Sequence, residues 1–407
     1  MSSALEHDPR VLGEEPGFAG VVRSSVKRMR SGDLGQLPVV LGIVVIWAIF
    51  GISSQGHFLS SENLVNLSLQ MAAVGTIAVG VVFVLLLGEI DLTVGIVSGL
   101  AAAVMAVANT KAGLPGPAAV GIGLAVGLLI GVVHGFWITR FKIPSFVVTL
   151  AGLIGWQGAL LFVLGDTGTI NMRDDFVVGL AGTFFNGIAG WVIAVLFVVY
   201  VGVSGVAGRR RRLAAGLVAE SAAWVWARVI VVGLLTAGAV FVLDGDRGLP
   251  LSLVFLVGLV VVMDYVVSRT RFGRMIYAVG GNAEAALRSG IPVDRVRVAV
   301  FILASLFAAW GGMLAASRLL AVNQSSGSGV ELLNAIAAAV IGGASLFGGR
   351  GTIWAALIGI LVIQSISNGM DLLSFPSPVK LMVTGAVLLT AVTIDAVARR
   401  GRASTGR

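Results

Sequence analysis

The sequence predicts an all-α, polytopic integral membrane protein of about 10–12 transmembrane helices, one or more of them short or broken. Three observations carry that prediction. Of 407 residues, 57% are hydrophobic, only 12% are charged, and the mean hydropathy is +0.99, whereas soluble domains carry about 25% charged residues. There are 56 glycines against 10 prolines, the balance expected where small residues let transmembrane backbones approach. Finally, apolar segments of spanning length recur along the whole chain. The absence of cysteine excludes disulfides, thiolate catalysis and Cys-ligated metals.

The first apolar segment opens at Pro38, after a stretch carrying Arg10, Arg23, Lys27, Arg28 and Arg30. It is long, and no A-x-A-like cleavage site follows it, so residues 1–37 read as an uncleaved, disordered cytoplasmic tail. A bilayer core takes about 20 apolar residues per helix. Spans are expected at 38–54, 62–87, 91–109, 117–139, 146–165, 187–207, 214–243, 250–268, 297–317, 332–346, 352–370 and 378–397, together forming a transmembrane domain over 38–397. The span at 332–346 is short and runs into GGASLFGGRG (Gly342 to Gly351), the pattern of a half-helix or re-entrant piece. A loop at 269–296 separates two spans, and a cytoplasmic tail over 398–407 closes the chain.

Orientation follows from Lys and Arg in alternate loops. With the amino terminus inside, twenty-one fall in inside segments and five (Lys111, Arg173, Arg247, Arg318, Lys380) outside, a positive-inside pattern that places both termini in the cytoplasm. The net charge of +8 therefore reports topology, and no nucleic-acid partner is expected.

In GIGLAVGLLIGVVHG, glycines at 123, 127, 131 and 135 recur every fourth residue, leaving one helix face nearly bare for packing against another helix. GEIDLTVG (Gly88 to Gly95) and GGASLFGGRGT (Gly342 to Thr352) each set a Gly-containing break before an apolar helix, the pattern of an internal structural repeat.

Most chemistry-bearing motifs are missing. None of the four lysines (Lys27, Lys111, Lys142, Lys380) sits in a phosphate-binding loop, so the chain does not hydrolyse ATP by itself. Histidine stands only at 7, 57 and 134, too few ligands at no metal spacing. His134, inside a span, reads as a buried hydrogen-bonding residue. No cofactor, metal or catalytic residue is expected. The intramembrane carboxylates Glu89 and Asp91 are expensive in a bilayer, and two readings stay open. Asp91 is either the N-cap of a helix starting at Leu92, with Glu89 near an interface, or the pair belongs to a polar translocation path or its gate. Trp156 and Gln157 likewise suit either helix packing or contact with a sugar ring. Glu220, Arg228 and Asp264 read as paired or helix-end charges.

GGNAEAALRSGI (Gly280 to Ile291) stands apart because it is built like soluble protein. Asn282 is a good N-cap, Glu284 faces the positive end of the helix dipole, and Arg288 lies in the last turn. Gly290 suits the C′ position, and Pro292 forbids continuation. The punctuation predicts a helix over Ala283 to Ser289, and so short a helix needs a surface to pack against. Ala285, Ala286, Leu287 and Ile291 offer the apolar side.

EAALRSG, Glu284 to Gly290, is similar to the EAA-x-x-x-G signature of the membrane subunits of ATP-binding cassette importers. RFGRMIYAVGGNAEAALRSGI, GEIDLTVG, PSFVVTLAG (Pro144 to Gly152) and AIAAAVIGGASLFGGRGT (Ala335 to Thr352) resemble the monosaccharide permeases of the ribose and xylose type, over about residues 40–397. The additional segment from Gly208 to Gly248, a basic inside turn followed by a long span, brings the resemblance nearest to the xylose type. His134 departs from the neutral polar residue expected there. The resemblance implies a homodimeric permease that imports a monosaccharide, D-xylose or another pentose. It implies an extracytoplasmic sugar-binding protein and a separate ATPase that docks on Asn282, Glu284, Ala285, Ala286, Arg288 and Gly290. An ion-coupled secondary transporter using Glu89 and Asp91 is the contrasting possibility.

Overall fold

A computed structural model describes residues 37–217 and 219–404. The expected tail lies outside the described residues up to position 36, and so do positions 405–407. Among the described residues, eight helices are long and apolar enough to cross a membrane, and four shorter apolar helices complete the twelve expected segments.

The chain divides into two compact units. The larger runs from 36 to 184 and from 250 onward. It contains α1 (Leu37–Ser53), α2 (Ser61–Leu86), α3 (Val94–Thr110), α4 (Gly116–Phe141), α5 (Ser145–Leu164) and the short α6 (Asp175–Gly182). The smaller unit is a helical hairpin of α7 (Ile188–Ala214) and α8 (Ala222–Asp244). The larger unit resumes with α9 (Leu251–Arg269), α10 (Arg271–Gly281), α11 (Ala283–Arg288), α12 (Val293–Leu319), α13 (Gly329–Ile341), α14 (Trp354–Leu372) and α15 (Ser377–Ser404). Strands β1 (Thr169–Asn171) and β2 (Ala321–Asn323) pair antiparallel, Ile170 opposite Val322.

Several expected boundaries shift. The arginine run 209–212 belongs to the helical end of α7 rather than to a turn. The following span starts at Ala222, where Ser221 caps it by accepting from Trp224 N. The expected tail at 398–407 is helical as far as Ser404. The loop at 269–296 holds two helices, and the short span ends at Ile341.

α2 is the axis of the larger unit, buried on nearly every side and about 39 Å long at the α-helical rise. Helix α12 crosses it where a Cβ on Gly80 would stand 2.9 Å from Ala304 O. The every-fourth glycine face of α4 lies against α12 in antiparallel register. A Cβ on Gly127 would stand 2.7 Å from Ser305 O, on Gly131 2.5 Å from Ile302 Cα, and on Gly135 2.9 Å from Val298 Cα. Backbone meets backbone from Gly127 to Gly135, whereas Gly123 faces Met313 Sδ and Ala101 O; close approach of this kind lets helices associate where lipid is as apolar as the side chains.

Candidate functional site

The segment after α9 is positioned by its caps. Thr270 Oγ1 accepts from Gly273 N at 3.3 Å and starts α10, whose Ile276 and Val279 are buried while Arg271 and Arg274 are exposed. This amphipathic helix is not legible in the sequence because its apolar face is a single short stripe. Asn282 then ends α10 and caps α11, its Oδ1 accepting from Ala285 N at 2.9 Å. At the far end, Gly290 takes φ +81° and Ile291 N donates to Ala286 O at 3.0 Å, closing the helix with a left-handed C′ residue. Arg288 Nη2 donates to Glu284 Oε1 at 2.5 Å. Both side chains are highly exposed, so that pair adds little stability. Of the expected apolar side, Ala286 is buried, but Ala285 is exposed and Leu287 is 62% exposed. The helix is anchored by buried Ala286, with Ala283 and Ile291 partly buried against the core, and presents Glu284, Ala285, Leu287 and Arg288 outward.

The acidic turn after α2 divides its two carboxylates. Glu89 Oε1 lies 2.9 Å from Arg297 Nε near the start of α12, an ion pair rather than an aligned hydrogen bond. Asp91 is 4% exposed, and its Oδ1 accepts from Thr93 N at 2.8 Å and Thr93 Oγ1 at 2.6 Å. Helix α3 begins only at Val94 with Thr93 at the N-cap position. Asp91 is therefore not the N-cap; it closes an Asx-type turn one step earlier. Among the described residues its Oδ2 has no hydrogen-bond partner.

Trp156 Nε1 donates to His134 Nε2 at 3.0 Å, so in the neutral imidazole the proton sits on Nδ1. That atom is buried without a partner among the described residues. Gly152 makes the approach feasible: a Cβ there would stand 2.7 Å from His134 Nε2, 3.0 Å from Thr93 Cγ2 and 3.1 Å from Trp156 Nε1. Asp91, Thr93, His134 and Trp156 thus form one polar cluster between α3, α4 and α5. Gln157 follows, half-buried, and Glu89 stands outside the cluster at its own ion pair. His134, expected from the sequence to be a buried hydrogen-bonding residue, has Trp156 as its partner. A cleft of about 430 Å³ between α4, α9 and α12, lined by Leu124, Phe255, Leu306 and Trp310, is apolar throughout and has no group to orient a polar solute.

Residues 63–392 match the family described as branched-chain amino acid transport system / permease component. The chain belongs to this permease family. It is the membrane component of a transport system, not an enzyme, in agreement with the sequence-based expectation. The chain is 37% identical to the xylose transport system permease protein XylH of Escherichia coli strain K12, over 94% of this chain and 95% of the relative. The Haemophilus influenzae protein of the same name is 34% identical over 90% of this chain and 98% of its own. The ribose import permease protein RbsC of Bacillus subtilis is 32% identical over 89% and 94%. No solved structure matches.

Proposed function

We propose that this permease forms the translocation path of an ATP-driven monosaccharide importer, carries D-xylose or another pentose, and takes its energy through α11. The observation that carries the reading is α11 itself: a helix capped at both ends, seated on the core by Ala286 with Ala283 and Ile291 beside it, and with Glu284, Leu287 and Arg288 turned outward. An isolated six-residue helix has no reason to persist in water unless a surface covers it. An ATPase subunit supplies that surface, a second copy of the permease completes the path, and an extracytoplasmic binding protein delivers the sugar. With both termini cytoplasmic, as the basic loops predict, α11 faces the compartment that holds ATP. The sugar is assigned from relatives named for xylose transport at 37% and 34% identity over nearly the full chain. The polar cluster of Asp91, His134 and Trp156, with Gln157 beside it, is the part of the path suited to sugar hydroxyls.

Reconstitution in proteoliposomes tests this. The permease with its ATPase and binding protein should accumulate labelled xylose only when ATP is present on the α11 side. Uptake by the permease alone, driven by a proton or sodium gradient, would replace this reading with a secondary transporter.

A further inference from the structure

Two stretches of main chain converge on the last turn of α10. Gly280 lies so close beneath the end of α2 that a Cβ there would overlap Leu86 O, and it would stand 2.7 Å from Gly349 N. Gly349 N donates to that same Leu86 O at 2.9 Å. From the other side, a Cβ on Gly348, whose φ is +81°, would stand 2.6 Å from Gly280 O and 2.8 Å from Gly88 N. The GEID turn and the GGASLFGG break, which share a sequence pattern, therefore touch one another and α10 with no side chain between. One turn earlier in α10, Tyr277 Oη donates to Gly351 O at 2.7 Å. Burial, and then the charge of Asp264, hold that phenol above its ordinary range, so it remains a donor at neutral pH.

Backbone packed on backbone has no rotamers with which to absorb a displacement, and close-packed interiors transmit strain. Helix α11 follows α10 after a single residue, Asn282. We propose that Gly280 and Tyr277 are positioning residues for energy coupling: they seat α10 on the 86–91 turn and the 342–351 break, so that a push on α11 moves both breaks together. These breaks precede α3 and α14, and displacing them shifts two membrane helices with one lever. The inference rests on the reading of α11 as the ATPase-docking helix.

The test uses the full complex with ATPase and binding protein in proteoliposomes, comparing Gly280→Ala, Tyr277→Phe and Gly281→Ala. The last is a control, because a Cβ on Gly281 meets nothing within 4 Å. All three should retain ATPase at the wild-type level on purification. Uptake should fall about tenfold in Gly280→Ala and about threefold in Tyr277→Phe, the range of a coupling loss. ATP hydrolysis in these two variants should continue without stimulation by sugar-loaded binding protein, whereas Gly281→Ala should behave as wild type. Wild-type uptake in both Gly280→Ala and Tyr277→Phe would overturn the inference, and so would loss of the ATPase from either. If Gly280→Ala does not accumulate in the membrane, Tyr277→Phe, which lacks a single hydroxyl, decides alone. A wild-type permease that binds no ATPase would instead defeat the reading of α11, and the inference with it.

Discussion

Arg297 Nε stands 2.9 Å from Glu89 Oε1, with the two side chains only 25% and 15% exposed, and the pair ties α12 to the turn after α2. Neutralising either partner leaves the other charge half-buried. Glu89→Gln should destabilise the permease by about 1–3 kcal/mol, between the values for exposed and fully buried pairs. The exchange Glu89→Arg with Arg297→Glu should recover part of that loss. Thermal unfolding in detergent micelles reads both, and an unchanged melting point in Glu89→Gln and in Arg297→Gln would refute the role of the pair.

The α4–α12 contact predicts a position-dependent response to added methyl groups. Gly131→Ala pushes a Cβ against Ile302 Cα, 2.5 Å away, with backbone on the far side. It should cost about 1–3 kcal/mol as an overpacked contact. Gly121→Ala, on the same helix with nothing within 4 Å, should be neutral or slightly stabilising. Equal unfolding temperatures for the two variants would contradict the packing described.

The Trp156–His134 hydrogen bond predicts strong coupling between two substitutions. His134→Ala strands the indole N–H in a partly buried site, which costs about 1–3 kcal/mol at most. In Trp156→Phe that donor is gone, so adding His134→Ala should cost clearly less. A double-mutant cycle on unfolding free energy measures the difference, and strict additivity would show that the bond contributes nothing.

Two substitutions examine α11. Gly290→Val places a β-branched residue at φ +81°, a strained conformation worth about 1–3 kcal/mol, and should unravel the helix end. Glu284→Lys sets a cation at the helix start and against Arg288. Each should lower sugar uptake about tenfold or more while the protein still inserts, since a few kcal/mol at a docking helix corresponds to orders of magnitude in affinity. Full uptake with ATPase retained in both would remove α11 from the coupling path.

The membrane class, the twelve apolar segments and the ends of α11 were legible in the residues alone, because these depend on local quantities. Hydropathy, span length and capping chemistry are properties of neighbouring residues: Asn282 caps Ala285 and Gly290 ends the helix whatever packs around them. The bare glycine face of α4 was equally legible as a packing surface. Its partner was not, since a missing side chain says that something comes close without saying what. Asp91 shows the limit at short range: an aspartate before an apolar run looks like an N-cap, but its carboxylate closes the turn on Thr93 and the helix starts two residues beyond Leu92. Only the tertiary structure brought His134 to Trp156, Glu89 to Arg297, and Gly280 between Leu86 and Gly349. Such contacts join residues as far apart in sequence as Leu86 and Gly349. They are decided by which backbones pack together, a global property that no window of sequence contains.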